Sequence, residues 1–555
     1  MSASISNTKG SVFAPLRITA FQRIWTTSIL SNFGQLILGV GVAWEMTRLT
    51  DSSTMVALVQ TALALPLMFI SLPAGAIADM YDRRKVAMSG LGIAVFFAVI
   101  LTLLAFYQLT TPWVLLVFCS LISVGAGFYY PAWSSSIGEQ VPTSALPAAI
   151  ALNSISYNVA RSFGPAVGGF ILVAAGAQAA FSVTALAYLP LILAFYLWKR
   201  GQVPSRLPPE RITRAIVSGV RYALHSSPIR IVLVRICIFT FGSVTATAGA
   251  LAPLITKNML QGDAGTFGIL LGATGVGAVF GALMVSKLND KFTTEQVVSG
   301  VSVVGGVALI SMGFSHWLTL TCLLMFIAGA STMIAISLMN IVVQLSAPRW
   351  VIARSLSLFT SFLTAGIAFG SWCWGTIADH WSIEIALIAA GIYVLTLPVF
   401  ALILPLPNPN TVGSETVDLT NEPEIELPIT MRSGPIVIDI EYRVDPDNAR
   451  DYYDAMQQVR RVRLRNGGFN WSISRDIGDP AQWTERFHFP AWGDYLRMRD
   501  RSTQSDIDAQ RIADQYLMPG AVKRIRRGLE RPFGSVRWKV STPDTQQDSS
   551  VYIGS

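Results

Sequence analysis

Arg161 is the feature of this sequence that most needs a chemical explanation. It is the one charged residue between Glu139 and Lys199, a stretch otherwise apolar or neutral. A guanidinium stays ionised in any protein environment, so in an apolar setting something polar or anionic must satisfy it. Asn158 stands one helical turn away, and Asn32 and Gln35 lie mid-way along the first apolar stretch. These four residues read either as a substrate or coupling site or as a hydrogen-bonded clamp between helices. Glu45 is the one acid of the first apolar stretch and a candidate proton carrier, although it stands near the end of that stretch. Asp379 and Glu384 also fall at the ends of apolar runs, so no carboxylate is clearly buried for proton coupling. Arg235, early in another run, is expected to reach back to the aqueous interface. Cys119, Cys237, Cys322 and Cys373 are far apart and form no CxxC or CxxH spacing, so neither a disulfide framework nor a metal site is predicted. No cofactor motif is present, and the absence of a Walker sequence excludes ATP as a direct energy source.

The elements that hold these residues follow from where the charges lie. Of 555 residues, the first 405 carry 32 charged side chains, whereas the last 150 carry 42. A soluble fold averages roughly a quarter charged residues, so the first part belongs in a membrane and the second in water. The net charge of +8 divides into +10 and −2 between these parts. It signals basic loops beside a bilayer rather than nucleic-acid binding. About 20 apolar residues cross a bilayer. Twelve spans are predicted near 22–46, 54–78, 86–108, 112–137, 148–174, 179–198, 229–256, 264–286, 295–314, 317–343, 353–378 and 382–405. The first of these is too long for a cleavable signal. Arg161 falls about 13 residues into the fifth span, roughly 20 Å deep at 1.5 Å per residue. An intramembrane charge of this kind marks a functional site by default.

Lys and Arg set the orientation. Seventeen of them lie on the side that holds the N-terminus, the loop with Arg83, Arg84 and Lys85, and the loop near 199–228. Arg48 and Lys257 alone lie on the other. Both termini are therefore expected in the cytoplasm. The predicted organisation is an N-terminal segment (1–20), a six-helix half (21–198), a middle loop (199–228), a second half (229–405), an acidic linker (406–430), a C-terminal domain (431–545) and a tail (546–555). The halves echo one another: Gly164 and Gly168 in the fifth span match Gly366 and Gly370 in the eleventh. Such symmetry marks transporters built from two repeats around a central site.

Two motifs carry a family resemblance. Gly75, Asp79, Arg83 and Arg84 fit the pattern Gly-x-x-x-Asp-(Arg/Lys)-x-(Gly/Asp)-Arg-Arg between the second and third spans, with Met80 in place of the usual base. This resembles the loop signature of the major facilitator superfamily. The resemblance implies a close helix approach at Gly75, docking of Asp79 on the eleventh helix, and basic residues that lock the cytoplasmic side. The second motif contains Gly164, Pro165, Gly168 and Gly169 and has Ala160 at its first glycine position. It resembles the Gly-x-x-x-Gly-Pro-x-x-Gly-Gly sequence of exporters in that superfamily. Pro165 bends the helix and the glycines admit close packing. The run 151–161, with the segment 49–52 and the pair Leu65-Pro66, is similar to the enterobactin-exporter-like bacterial branch.

The C-terminal part alternates as strand, helix, two strands, helix and a last strand near 535–540, the β-α-β-β-α-β order of an α+β ferredoxin-like domain. The segments 460–471 and 492–497 resemble the dimeric α/β-barrel fold of antibiotic-biosynthesis monooxygenases. With His488 as its one histidine and no metal pattern, the domain reads as a regulatory or dimerising module rather than an enzyme. The whole is predicted as an all-α membrane protein of the bacterial inner membrane. Its expected function is secondary active export of small amphipathic or lipophilic compounds, siderophore or drug-like, driven by an ion gradient, with the proton as the expected coupling ion. Uptake on the same fold, or a membrane-anchored enzyme or sensor acting through residues 431–545, are the alternatives.

Overall fold

The computed structural model describes residues 13–142, 145–198, 212–247, 250–348, 351–407, 425–427, 429–500 and 503–530. Within the helices, the side chains of Asp79, Met80 and Asn158 lie outside the described residues, as does the strand expected at 535–540. The chain divides into two compact units. One is drawn from Met1–Ile216, Ile231–Val342 and Leu356–Leu406, and the other from Val217–Arg230, Val343–Ser355 and Pro407–Ser555.

The first unit is helical. Its elements are α1 (Thr19–Leu49), α2 (Ser53–Met80), α3 (Arg83–Phe106), α4 (Pro112–Gln140), α5 (Leu146–Leu197), the start of α6 (Ile212–His225), most of α7 (Ser227–Thr247), the single turn α8 (Ala252–Leu254), α9 (Ala264–Lys291), α10 (Thr294–Gly313), most of α11 (Leu318–Ser346), most of α12 (Ile352–His380), α13 (Ile383–Thr396) and α14 (Phe400–Ile403). Side-chain caps start several of them. Ser52 Oγ accepts Met55 N at 3.4 Å and Asp82 Oδ1 accepts Arg84 N at 3.0 Å. At α10, Thr293 and Gln296 form a capping box. Large apolar side chains such as Phe170, Trp317 and Leu402 point outward, as expected of helices solvated by lipid.

Among the described residues, ten helices are long and apolar enough to cross a membrane, or eleven if the bent pair Gly219–His225 and Ser227–Ser243 is one span. The twelve predicted spans are not all separate elements. The fifth and sixth run together in the 52-residue α5, broken at Gly176, whose φ of +79° is a left-handed conformation that glycine adopts without strain. The seventh, predicted at 229–256, takes in most of α7 and the turn α8, and a 92° bend beside Ser226 lies just ahead of it.

The second unit holds a four-stranded antiparallel sheet in the order β2-β3-β1-β4. Its elements are β1 (Ile436–Arg443), α15 (Ala449–Arg465), β2 (Phe469–Arg475), β3 (Gln482–Phe489), α16 (Trp492–Asp500), α17 (Gln504–Asp514) and β4 (Arg524–Leu529). Period-2 alternation puts Ile436, Ile438, Ile440 and Tyr442 on the buried face with Phe487 and Phe489, where Tyr452, Met456, Val459 and Tyr495 cover them. The sheet is completed by β4, upstream of the stretch expected from sequence.

Candidate functional site

The site is built where the first unit places polar side chains at mid-helix. Asn32 and Gln35 lie near the middle of α1, Tyr130 in α4, and Ser156 and Arg161 in α5. Asn32 Nδ2 donates to Ser156 Oγ at 3.2 Å, and Tyr130 Oη donates to Gln35 Oε1 at 2.8 Å and reaches Asn32 Oδ1 at 3.5 Å. Nearby, Trp133 Nε1 donates to Asn153 Oδ1 at 2.9 Å and Trp25 Nε1 to the Leu152 carbonyl at 2.8 Å. Asn32 and Gln35, both expected from sequence, thus meet in one network, and Tyr130 joins them.

Arg161 is not part of that network. It is half-buried, and among the described residues its polar partner is Met333 Sδ, 3.8 Å from Nη1. Met333 sits mid-way along α11, so the contact crosses between the two halves of the helical unit at matching depth. A thioether is a weak acceptor and carries no charge. Glu45 stands apart: its Oε2 accepts Arg48 Nη1 at 3.0 Å near the end of α1. Arg235 does not reach for water as expected. It is 5% exposed, and its Nη2 pairs with Glu295 Oε1 at 2.6 Å, because α10 brings that carboxylate to it.

The glycines of α5 sit at close helix crossings. A Cβ at Gly164 would lie 3.0 Å from Leu36 Cβ, and one at Gly168 would lie 3.3 Å from Ile37 Cα on α1. At Gly169 it would lie 2.6 Å from the Gly268 Cα of α9, an approach no other residue permits. The α5–α9 crossing joins the two halves. Gly366 packs on α7 at Cys237 and Thr240 as Gly164 packs on α1, so this element of the predicted symmetry recurs in the packing.

Along α2, the other half is met at several depths. A Cβ at Gly75 would lie 3.1 Å from Ser357 Oγ of α12. Ser71 Oγ and Ser361 Oγ are 2.7 Å apart, and Thr61 Oγ1 donates to the Ala368 carbonyl at 2.8 Å. At the N-terminal end of α2, Asp379 accepts Ser53 N at 2.8 Å and the hydroxyls of Ser52 and Thr54 at 3.1 Å each. Asp379 therefore caps a helix of the opposite half. Asp79 lies one turn beyond Gly75, and its side chain is outside the described residues. Arg83 Nη1 donates to the Ser135 carbonyl at 2.6 Å and pairs with Glu139 at 3.0 Å, both on α4. Arg84 Nη2 donates to the Tyr196 carbonyl at 2.5 Å. These described partners lie within the same half as the motif.

Sequence reasoning missed Met333, Ser156 and Gly268 as contacts. Gly268 had a signal, since α9 carries glycines at 265, 268, 272, 275, 277 and 281. Met333 had none, because a methionine in an apolar helix is ordinary packing.

A bundle of long apolar helices, joined across its halves by glycine crossings and holding a polar layer at mid-depth, defines a multi-pass membrane transporter of the major facilitator type. Residues 10–532 match the family described as "Transmembrane secretion effector", and the chain belongs to it. The match includes the four-stranded C-terminal unit. The chain is 25% identical over 388 residues to the multidrug efflux pump Tap of Mycolicibacterium fortuitum, covering 68% of this chain and 94% of that protein. It is 23% identical over 298 residues to the staphyloferrin A transporter of Staphylococcus aureus, covering 53% and 73%. The bacterial homologue of the human lysosomal transporter Spinster, solved inward-facing and unoccupied, shares the fold with a TM-score of 0.52 at 14% identity, covering 71% of this chain and 98% of that one. The D-xylose-proton symporter does so with a TM-score of 0.54 at 12% identity, covering 69% and 98%. Family and relatives are transporters, not enzymes.

Proposed function

We propose that this chain is a secondary active exporter of small amphipathic or lipophilic compounds, siderophore or drug-like, working by alternating access in the bacterial plasma membrane. The observation that carries the reading is the glycine face of α5 seated against α1 and against Gly268 of α9. Gly164, Pro165, Gly168 and Gly169 form the exporter-type motif there, and the efflux pump and siderophore transporter among its relatives agree with it.

The reading counts twelve spans. At 1.5 Å per residue the 52 residues of α5 extend about 78 Å, more than twice a hydrocarbon core of about 30 Å, so its two segments about Gly176 each cross once. The basic loops put both termini and residues 431–545 in the cytoplasm. There Asp79 docks on the start of the eleventh span, with Gly75 permitting the approach, and Arg83 and Arg84 hold the neighbouring helices in register. Arg161, Asn158, Asn32 and Gln35 face the transported molecule, and a proton gradient supplies the energy, with Glu45 a candidate relay. The C-terminal unit is a ferredoxin-like module, similar to the monooxygenase barrel fold, that regulates or dimerises the transporter. The helical part has the character of the enterobactin-exporter-like branch.

Expression in a pump-deficient bacterium tests this. Accumulation of at least one amphipathic dye or antibiotic should fall several-fold, and a protonophore should restore it. Raised accumulation would instead favour uptake, and an unchanged panel would remove export.

A further inference from the structure

We infer that Arg161 is the anchor for an anionic group, so that the transported molecule is an anionic amphiphile rather than the lipophilic cation common among drug substrates. The inference rests on the transporter reading and names the substrate class of its site.

Arg161 lies 15 residues from Leu146 and 15 from Gly176, at the centre of the first segment of α5. Each half-segment extends about 22 Å, which places the guanidinium near mid-membrane. Its described polar partner, Met333 Sδ, leaves the charge unmatched. The carboxylates of the helical region are elsewhere. Of the eleven acids in residues 1–405, ten stand between helices or within four residues of a helix end, and the eleventh, Glu210, belongs to the middle loop. Several are already engaged at those ends. Glu45 is paired with Arg48, Glu139 with Arg83 and Glu295 with Arg235, while Asp82, Asp263 and Asp379 accept backbone N–H groups at helix starts. Arg235, which also stands more than five residues inside a predicted span, is neutralised by Glu295. Mid-membrane, among the described residues, the unit therefore presents one uncompensated positive charge and no negative one. A carboxylate, sulfonate or phosphate would meet five planar N–H donors suited to bidentate contact. A lipophilic cation would meet repulsion at low dielectric. The separate network of Asn32, Gln35, Tyr130 and Ser156 is uncharged and does not alter that sign.

The test compares two probes that share one aromatic body: 8-anilinonaphthalene-1-sulfonate and its neutral counterpart N-phenyl-1-naphthylamine. Binding to the full chain in phosphatidylcholine nanodiscs is measured against empty discs. Wild type should bind the sulfonate at least tenfold more tightly. Arg161→Ala should remove that difference while changing neutral-probe affinity less than twofold, and Arg161→Lys should keep part of it. Arg161→Glu should shift preference to tetraphenylphosphonium. An Arg161-dependent loss of sulfonate affinity in phosphatidylglycerol discs identifies a lipid headgroup as an occupant of the same site, and unchanged affinity assigns it to the small molecule. Equal binding of the two probes, no saturable sulfonate binding, or equal weakening of both by Arg161→Ala overturns the proposal. If the charge preference holds but neither probe moves in proteoliposomes under a proton gradient, the transport reading fails instead.

Discussion

A carboxylate at a helix junction and a carboxylate in a domain core do different work, and the two make separable predictions. Asp79 stands one turn past Gly75, where α2 meets α12. If it docks on the eleventh span, Asp79→Asn keeps the side chain's shape and loses its charge. Efflux should fall at least tenfold while insertion and yield stay normal. Efflux assays at matched expression decide this, and wild-type activity would take Asp79 out of the mechanism. Glu485 is fully buried in the C-terminal unit. It accepts Tyr442 Oη at 2.8 Å, Arg463 Nε at 3.0 Å and Trp471 Nε1 at 2.9 Å. Burial alone would raise its carboxyl, but Arg463 and these hydrogen bonds outweigh burial and hold it below the ordinary carboxylate range. A carboxyl lowered on folding stabilises the fold above its unfolded pKa, near 4.3, and that contribution is lost as pH falls through the folded value. Glu485→Gln would leave Arg463 buried without its counter-ion, at a cost of about 3–5 kcal/mol. Calorimetry of the full chain should show the C-terminal transition moving down in temperature. It should also show less of the wild-type loss of stability as pH falls below about 4.3.

At the scale of elements, the close crossings of α5 with α1 and with α9 are where substitutions bite. Gly169 has backbone where a Cβ would go, whereas Gly164 and Gly168 face side chains and backbone at 3.0–3.3 Å. Gly169→Ala should therefore impair efflux more than Gly164→Ala, and leucine at 164 or 168 should abolish or uncouple it, since the helices must separate to admit the side chain. Efflux and passive leak of a dye from the same proteoliposomes would check the order. An equal, mild effect at all three positions would show that both crossings are dispensable. At the far end of α2, Asp379→Ala removes an acceptor shared by three donors. Loss of such a cap costs about 1 kcal/mol, and here the cap belongs to the other half. Spin-label distances between α2 and α12 at that end should broaden toward separation, and an unchanged distribution would reduce Asp379 to a local cap.

Over the whole molecule, the C-terminal unit is tied to a segment of the middle region. Within that unit, Arg221 Nη1 donates to the Gly467 carbonyl at 3.1 Å, and the Arg465 guanidinium lies 5.5 Å from the Tyr222 ring centre. Truncation after residue 405 removes the partners of Arg221 and Tyr222 but none of the helices before that residue. Such a chain should still insert and retain at least half of wild-type efflux, measured per molecule in membranes. Complete loss of transport would show that the C-terminal unit takes part in the cycle itself.

The sequence alone determined the membrane assignment, the basic side, the two motifs and the strand–helix order of the C-terminal unit. Each of these is a local pattern: a 20-residue apolar run, a cluster of Arg and Lys, a spacing of glycines or a period of two. It also located Arg161, because a charge in an apolar run is visible without coordinates. What it left open was partnership. Packing, which depends on residues far apart in the chain, decided that Asn32 bonds Ser156 while Arg161 faces Met333. Packing likewise gave Arg235 its counter-ion in Glu295 rather than contact with water, and set Asp379 to cap α2. The break at Gly176 falls in the gap between the predicted spans 148–174 and 179–198, and the structure adds the left-handed φ that makes it. A polar group inside a bilayer must find a partner, and which partner it finds is settled by the tertiary fold.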